Sequence, residues 1–194
     1  FQVMLVQFTF FTAYAIVSLP SGKLVEKIGY KPGIIIGLLI AAAGTLMFFL
    51  AAGYRSYNIF LLALFILASG ITLLQVAANP YVAILGKPET ASSRLNLSQA
   101  FNSFGTTIAP IFGSILILSM AVKGADELAK MSITEKEAYF LMEAGSVQTP
   151  YLILTATLIA IAILIAMFKL PKIEAASQSS SSGEGGSFDH HHKS

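Results

Sequence analysis

Apolar positions in this chain come in long uninterrupted blocks, separated by short charged clusters. Five stretches carry no charge: 1–22, 32–54, 56–86, 95–122 and 144–168, each 22 residues or longer. A bilayer-spanning helix needs about 20 mostly apolar residues at roughly 1.5 Å rise each. Helices on the surface of a soluble bundle alternate apolar and charged faces instead. The pattern therefore predicts an all-α integral membrane protein with five transmembrane helices. They are expected at about 1–19, closed by Pro20; 33–52, opening after Lys31-Pro32; 58–86; 95–119; and 149–168, with Pro150 near its start. Segment 124–145 alternates apolar and charged residues. It is expected to form one or two short amphipathic helices in an outer loop spanning 120–149.

Small residues recur four apart as Gly33, Gly37 and Ala41 on the second helix and as Gly105, Ala109 and Gly113 on the fourth. That spacing flattens one face of a helix and lets a neighbour approach closely.

Composition agrees with the pattern. The chain is 55% hydrophobic and 11% charged, against roughly 25% charge in a soluble domain. It contains no cysteine, which excludes disulfides and thiolate metal sites. A net charge of +2 gives no reason to expect a nucleic-acid partner. Basic residues set the orientation. Lys23, Lys27 and Lys31 in one loop, Lys87 and Arg94 in another, and Lys169 and Lys172 at the start of the tail lie on one side, expected to be cytoplasmic. The opposite side has Arg55 in a short loop and three Lys against five acids in 120–149.

Phe1 begins inside an apolar run, without an initiator Met or a basic leader. An outer N-terminus requires an earlier span, so the chain is expected to be a fragment. Residues 173–194 are Ser/Gly-rich and read as a flexible cytoplasmic connector. His190, His191 and His192 sit in that connector and are read as incidental rather than as a metal site.

The polar residues inside the blocks are the candidates for function. Gln75 and Asn79 are four apart and share a helix face, and Gln99 and Asn102, three apart, share another. A short loop makes their helices antiparallel neighbours. A single carboxamide is adequately explained as interhelical glue. Four of them, with Pro80 and Pro110 beside them, suggest a lined cavity. Pro80 leaves the carbonyl of Val76 without its usual helix donor, and irregular backbone survives in a membrane only within protein or beside water. Carboxamides both donate and accept hydrogen bonds, which suits a neutral polyhydroxyl ligand. No Asp, Glu, Lys, Arg or His lies in any of the five expected spans, and no catalytic or metal-ligating set is recognisable.

Two sets of motifs carry a family resemblance. "GKLVEKIGYKPG", from Gly22 to Gly33, resembles the signature loop of the major facilitator superfamily through Gly22, Leu24, Glu26, Lys27, Gly29 and Lys31, with Glu26 where Asp is usual. "QVAANPYVAILG" and "RLNLSQAFNSFGTTIAP" look like the fucose permease branch, which includes bacterial glucose/galactose transporters. The resemblance implies that the five spans are family helices two to six and that the Ser/Gly-rich segment is the central loop between two six-helix halves. It also implies import of a neutral hexose-type sugar by alternating access, driven by a proton or sodium gradient and needing no cofactor. The complete protein would be a monomer in a bacterial inner membrane. Its partners would be the sugar, the bilayer, and the first helix and C-terminal half of the same transporter.

Under that resemblance Gln75, Asn79, Gln99 and Asn102 are substrate-binding residues and Pro80 and Pro110 are kinks. Gly22, Glu26, Lys27, Gly29, Lys31 and Arg94 form a cytoplasmic gating region, with Glu26, Lys27 and Lys31 in a latching charge network. Gln75 occupies the position of a glutamate linked to proton coupling in fucose permease, and a glutamine cannot titrate. The rival readings are a facilitator for another solute, such as a drug or organic anion, and a non-transporting membrane scaffold.

Overall fold

The computed structural model describes residues 2–117 and 124–169. The elements are α1 (Gln2–Ile28), α2 (Tyr30–Tyr54), α3 (Tyr57–Ile84), a short 3-10 turn (Pro88–Thr90), α4 (Ala91–Ile117), α5 (Ala125–Lys130) and α6 (Ile133–Met167). Every element among the described residues is helical. Of these, α1, α2, α3 and α6 are long and apolar enough to cross a membrane. At 27 residues α4 is also long enough, but it is richer in Ser, Thr, Asn and Gln.

α2 forms the centre of the bundle and packs against α3 on one side and α6 on the other; α1 packs on α3. The α2–α3 seam is close because its residues are small. A Cβ added to Gly37 would stand 2.8 Å from the Leu74 amide nitrogen, one on Gly44 2.5 Å from that of Leu67, and one on Gly70 2.3 Å from that of Ala41. The stripe expected at Gly33, Gly37 and Ala41 is thus a buried helix contact, extended by Gly44 and answered from α3 by Gly70. The second expected stripe behaves differently: Gly105 and Gly113 have nothing within 4 Å of an added Cβ. α4 packs against α3 and, more lightly, against α6.

Val25, Ile34, Leu38, Leu73, Ala77, Tyr81 and Ala162 form an apolar core near one end of the bundle. Large apolar side chains elsewhere face outward, among them Phe8, Phe11, Leu62, Ile153 and Leu164. That is the inside-out distribution a lipid solvent allows. One buried polar contact crosses α2 and α6. The hydroxyls of Thr45 and Thr155 are 2.8 Å apart, and each also lies 2.8 Å from a carbonyl of its own helix, Ala42 and Tyr151. Two hydroxyl protons serve three contacts, and the backbone bonds keep both groups satisfied wherever the shared proton sits.

Two expectations are corrected. Pro20 does not close the first helix; α1 continues to Ile28, so Gly22–Lys27 is helix rather than loop. Pro150 does not start the last span; α6 runs unbroken for 35 residues, and the second part of the amphipathic segment is its extension rather than a separate surface helix. Pro80 likewise lies inside a continuous helix, α3 from Tyr57 to Ile84, where the Val76 carbonyl lacks its usual helix donor. Proline removes one hydrogen bond, which is a local defect, whereas continuing the helix keeps the other backbone bonds on both sides of it. The start of α6 is fixed by a capping box: Ser132 Oγ accepts from the Glu135 amide at 3.3 Å and Glu135 Oε2 accepts from the Ser132 amide at 2.8 Å.

α1 and α2 are joined by Gly29 alone, at φ 88° and ψ 167°. That backbone region is open essentially only to glycine. The turn between α2 and α3 uses Arg55 at φ 51°. Its guanidinium lies over the Phe140 ring at 4.8 Å from the centroid, tying the turn to the extension of α6. Beneath it, Phe48 stacks on Tyr151 with centroids 4.8 Å apart. Residues 173–194, including His190, His191 and His192, lie outside the described residues.

Candidate functional site

Gln75 and Asn79 occupy successive turns of α3 and are half-buried, while Pro80 beside them is exposed. Gln75 Oε1 accepts a hydrogen bond from the phenol of Tyr14, which crosses from α1 to α3. Gln99 and Asn102, on α4, are exposed, as is Pro110. No side-chain hydrogen bond among the described residues joins the α3 pair to the α4 pair. They are related by depth. Arg94 on α4 reaches Val82 on α3, and counting inward from that contact at about 1.5 Å per residue places Gln75 and Asn102 roughly 10–12 Å into the bundle. Asn79 and Gln99 lie roughly 5–8 Å in by the same count. The four neutral amides thus fall within one band of depth, about 5–12 Å, on the two helices of an antiparallel hairpin, and no charged residue of either helix lies among them. Such a band can donate to and accept from hydroxyl groups and has no charge complementary to an ion. Thr72, one turn from Gln75, is fully buried and donates to the Ala68 carbonyl at 2.7 Å, so its hydroxyl is engaged within its own helix.

The basic residues singled out from the sequence act on helix ends. Lys31 Nζ donates to the carbonyls of Ala166 at 2.8 Å and Phe168 at 2.7 Å, holding the C-terminus of α6 against the start of α2. Arg94 donates through Nε to the Val82 carbonyl at 3.0 Å, through Nη2 to the Ala83 carbonyl at 2.5 Å, and through Nη1 to the Lys87 carbonyl at 3.1 Å. The last helical carbonyls lack intrahelical donors and carry the negative end of the helix dipole, so a cation there satisfies both needs. Gly86 makes room for this clamp: a Cβ there would lie 2.8 Å from Arg94 Nη1.

Gly22, Glu26 and Lys27 lie on the last turns of α1, with Lys27 at its C-terminal end. Glu26 forms no ion pair with Lys27 or Lys31 in this structure, where Lys31 caps the end of α6. Sequence reasoning missed Tyr14, the phenol within the aromatic run of α1, and Gly70, whose partner stripe on α2 was visible. No group of metal-ligating side chains occurs among the described residues.

Comparison with known proteins places this arrangement. The family profile of the Major Facilitator Superfamily matches residues 1–191. The chain is 54% identical over 173 residues to a protein of Brucella abortus biovar 1 (strain 9-941) named glucose/galactose transporter, covering 89% of this chain and 39% of that one. It is 43% identical over 180 residues to the L-fucose-proton symporter of Escherichia coli (strain K12), covering 92% of this chain and 41% of that one. Among solved structures, the outward conformation of the facilitator-superfamily transporter FucP superposes with a TM-score of 0.82 at 43% identity, covering 93% of this chain and 44% of that one. The chain thus spans about two-fifths of the length of the curated relatives it matches.

Proposed function

Because this chain belongs to the Major Facilitator Superfamily, we propose that it is part of the N-terminal half of a secondary active transporter importing a neutral hexose-type sugar by alternating access. The observation that carries this reading is the 54% identity, across 89% of the chain, to a protein named glucose/galactose transporter. The band of four uncharged amides supports it independently, since hydroxyl groups are what such a band can recognise. In this reading α1, α2, α3, α4 and α6 are family helices two to six. The first helix and the C-terminal half of the same protein complete the cavity over α4. The tail is cytoplasmic, the membrane is a bacterial inner membrane, and the complete transporter works as a monomer.

Uptake is driven by a proton or sodium gradient. Gln75 cannot carry a proton, so a proton-coupled mechanism needs a titratable group elsewhere in the complete protein. The deciding experiment is counterflow with the complete protein in proteoliposomes, using a panel of hexoses and imposed proton and sodium gradients. Counterflow of a neutral hexose is the expected result; a protein that exchanges only charged solutes, or none, is not a sugar transporter. Gln99→Ala and Asn102→Ala are expected to lower uptake about tenfold at unchanged expression, the effect of losing a buried hydrogen bond to the ligand. Unchanged uptake in both removes α4 from the site.

A further inference from the structure

Gln75 is held by a residue on another helix, and that contact bears on what the amide offers a ligand. Tyr14 is half-buried on α1, next to Ala13, which is completely buried and seats that turn of α1 in the bundle. Phe10, one turn earlier, packs its ring 6.3 Å from that of Tyr14. The phenol is therefore supported from its own helix when it donates to Gln75 Oε1. A glutamine amide has a broad, roughly two-fold terminal torsion, so its oxygen and nitrogen exchange places readily unless a neighbour distinguishes them. A phenol whose proton points at the oxygen makes that distinction, since a turned amide would need the phenol to rotate as well and accept from Nε2. With one lone pair of Oε1 engaged and that oxygen turned toward the phenol, the end of the amide turned away is Nε2, which carries two hydrogens and accepts nothing.

We propose that Tyr14 is a positioning residue for substrate selection, fixing the Gln75 amide so that it meets the sugar as a hydrogen-bond donor. The inference rests on the reading of Gln75 as substrate-facing. Its consequence is stereochemical. A fixed donor rewards the epimer that places a hydroxyl oxygen's lone pair opposite it. A free amide turns over to suit either epimer, so discrimination falls when the lock is removed.

The test uses the complete transporter purified in detergent, with dissociation constants for glucose and galactose measured by calorimetry. The variants are Tyr14→Phe, Gln75→Ala and the two combined. Tyr14→Phe is expected to weaken binding of the preferred hexose about threefold to tenfold, the range for one hydrogen bond, and to shrink the ratio between the two epimers. In the Gln75→Ala background the same substitution is expected to change neither, because the two residues act as one unit. Tyr14→His keeps a ring N–H donor and is expected to recover part of the ratio. It also keeps the test readable if the phenylalanine variant expresses poorly.

If Gln75→Ala weakens binding while Tyr14→Phe leaves both constants and their ratio intact, the positioning role is overturned and the site reading stands. Additive effects in the double variant overturn it as well, as does a thermal midpoint that falls without any change in the ratio. If Gln75→Ala leaves binding unchanged, the site reading fails and this inference falls with it.

Discussion

Arg94 illustrates how a single residue closes one end of this bundle. Its guanidinium, through Nε, Nη1 and Nη2, holds the carbonyls of Val82, Ala83 and Lys87, and Gly86 leaves space for it. A lysine has one nitrogen on a flexible stem and cannot span the same carbonyls. Arg94→Ala is expected to lower the stability of the complete protein by about 1.5–3 kcal/mol, the range for hydrogen bonds to a charged group. Arg94→Lys is expected to recover less than half, and thermal unfolding in detergent measures both. The sequence placed Arg94 correctly among basic residues at the ends of α3 and α4, since charge clusters are visible in any linear reading. Its acceptors were not visible, because they depend on where α3 stops. Tyr14 was missed for a related reason: whether it meets Gln75 depends on the rotational phase of α1 against α3, and α1 shows little apolar asymmetry around its axis.

At the scale of elements, the seam between α2 and α3 and the prolines teach opposite lessons. Gly33, Gly37 and Ala41 announce a close contact because the absence of side chains is itself the signal. Gly70→Ala is expected to force the two backbones apart and to destabilise the protein by about 1–3 kcal/mol, as overpacking does. Gly105→Ala, with open space around it, is expected to leave the seam undisturbed; paired unfolding measurements on the two variants separate these outcomes. The prolines were less legible. Pro20 and Pro150 read as boundaries under the rules for helices in water, yet α1 and α6 pass through both. Those rules treat the lost hydrogen bond as a stop, whereas in α1 and α6 the backbone bonds on both sides of the proline are kept. Small residues mark a contact directly, whereas a proline marks only one missing bond.

On the scale of the whole molecule, cohesion is uneven. α2 is covered on two sides and contributes more buried positions than any other described helix, whereas α4 leaves Leu97, Phe101, Phe104, Ile111 and Phe112 exposed. Hydrogen exchange of the 194-residue chain in detergent is expected to be slowest in α2 and fastest, among the long helices, in α4, since protection follows packing. Equal protection of the two contradicts this description. The same chain, expressed alone, is expected to be polydisperse and protease-sensitive; a compact, resistant preparation is the opposing result. The joint at Gly29 has a further consequence. A long loop absorbs an added residue as slack, but here one residue separates α1 from α2. Each residue of an α-helix advances the face by about 100°. An insertion or deletion absorbed at this corner would swing Gly37 and Ala41 away from Gly70, so the spacing between Gly29 and Gly37 is a phase setting that changes in chain length cannot adjust gradually.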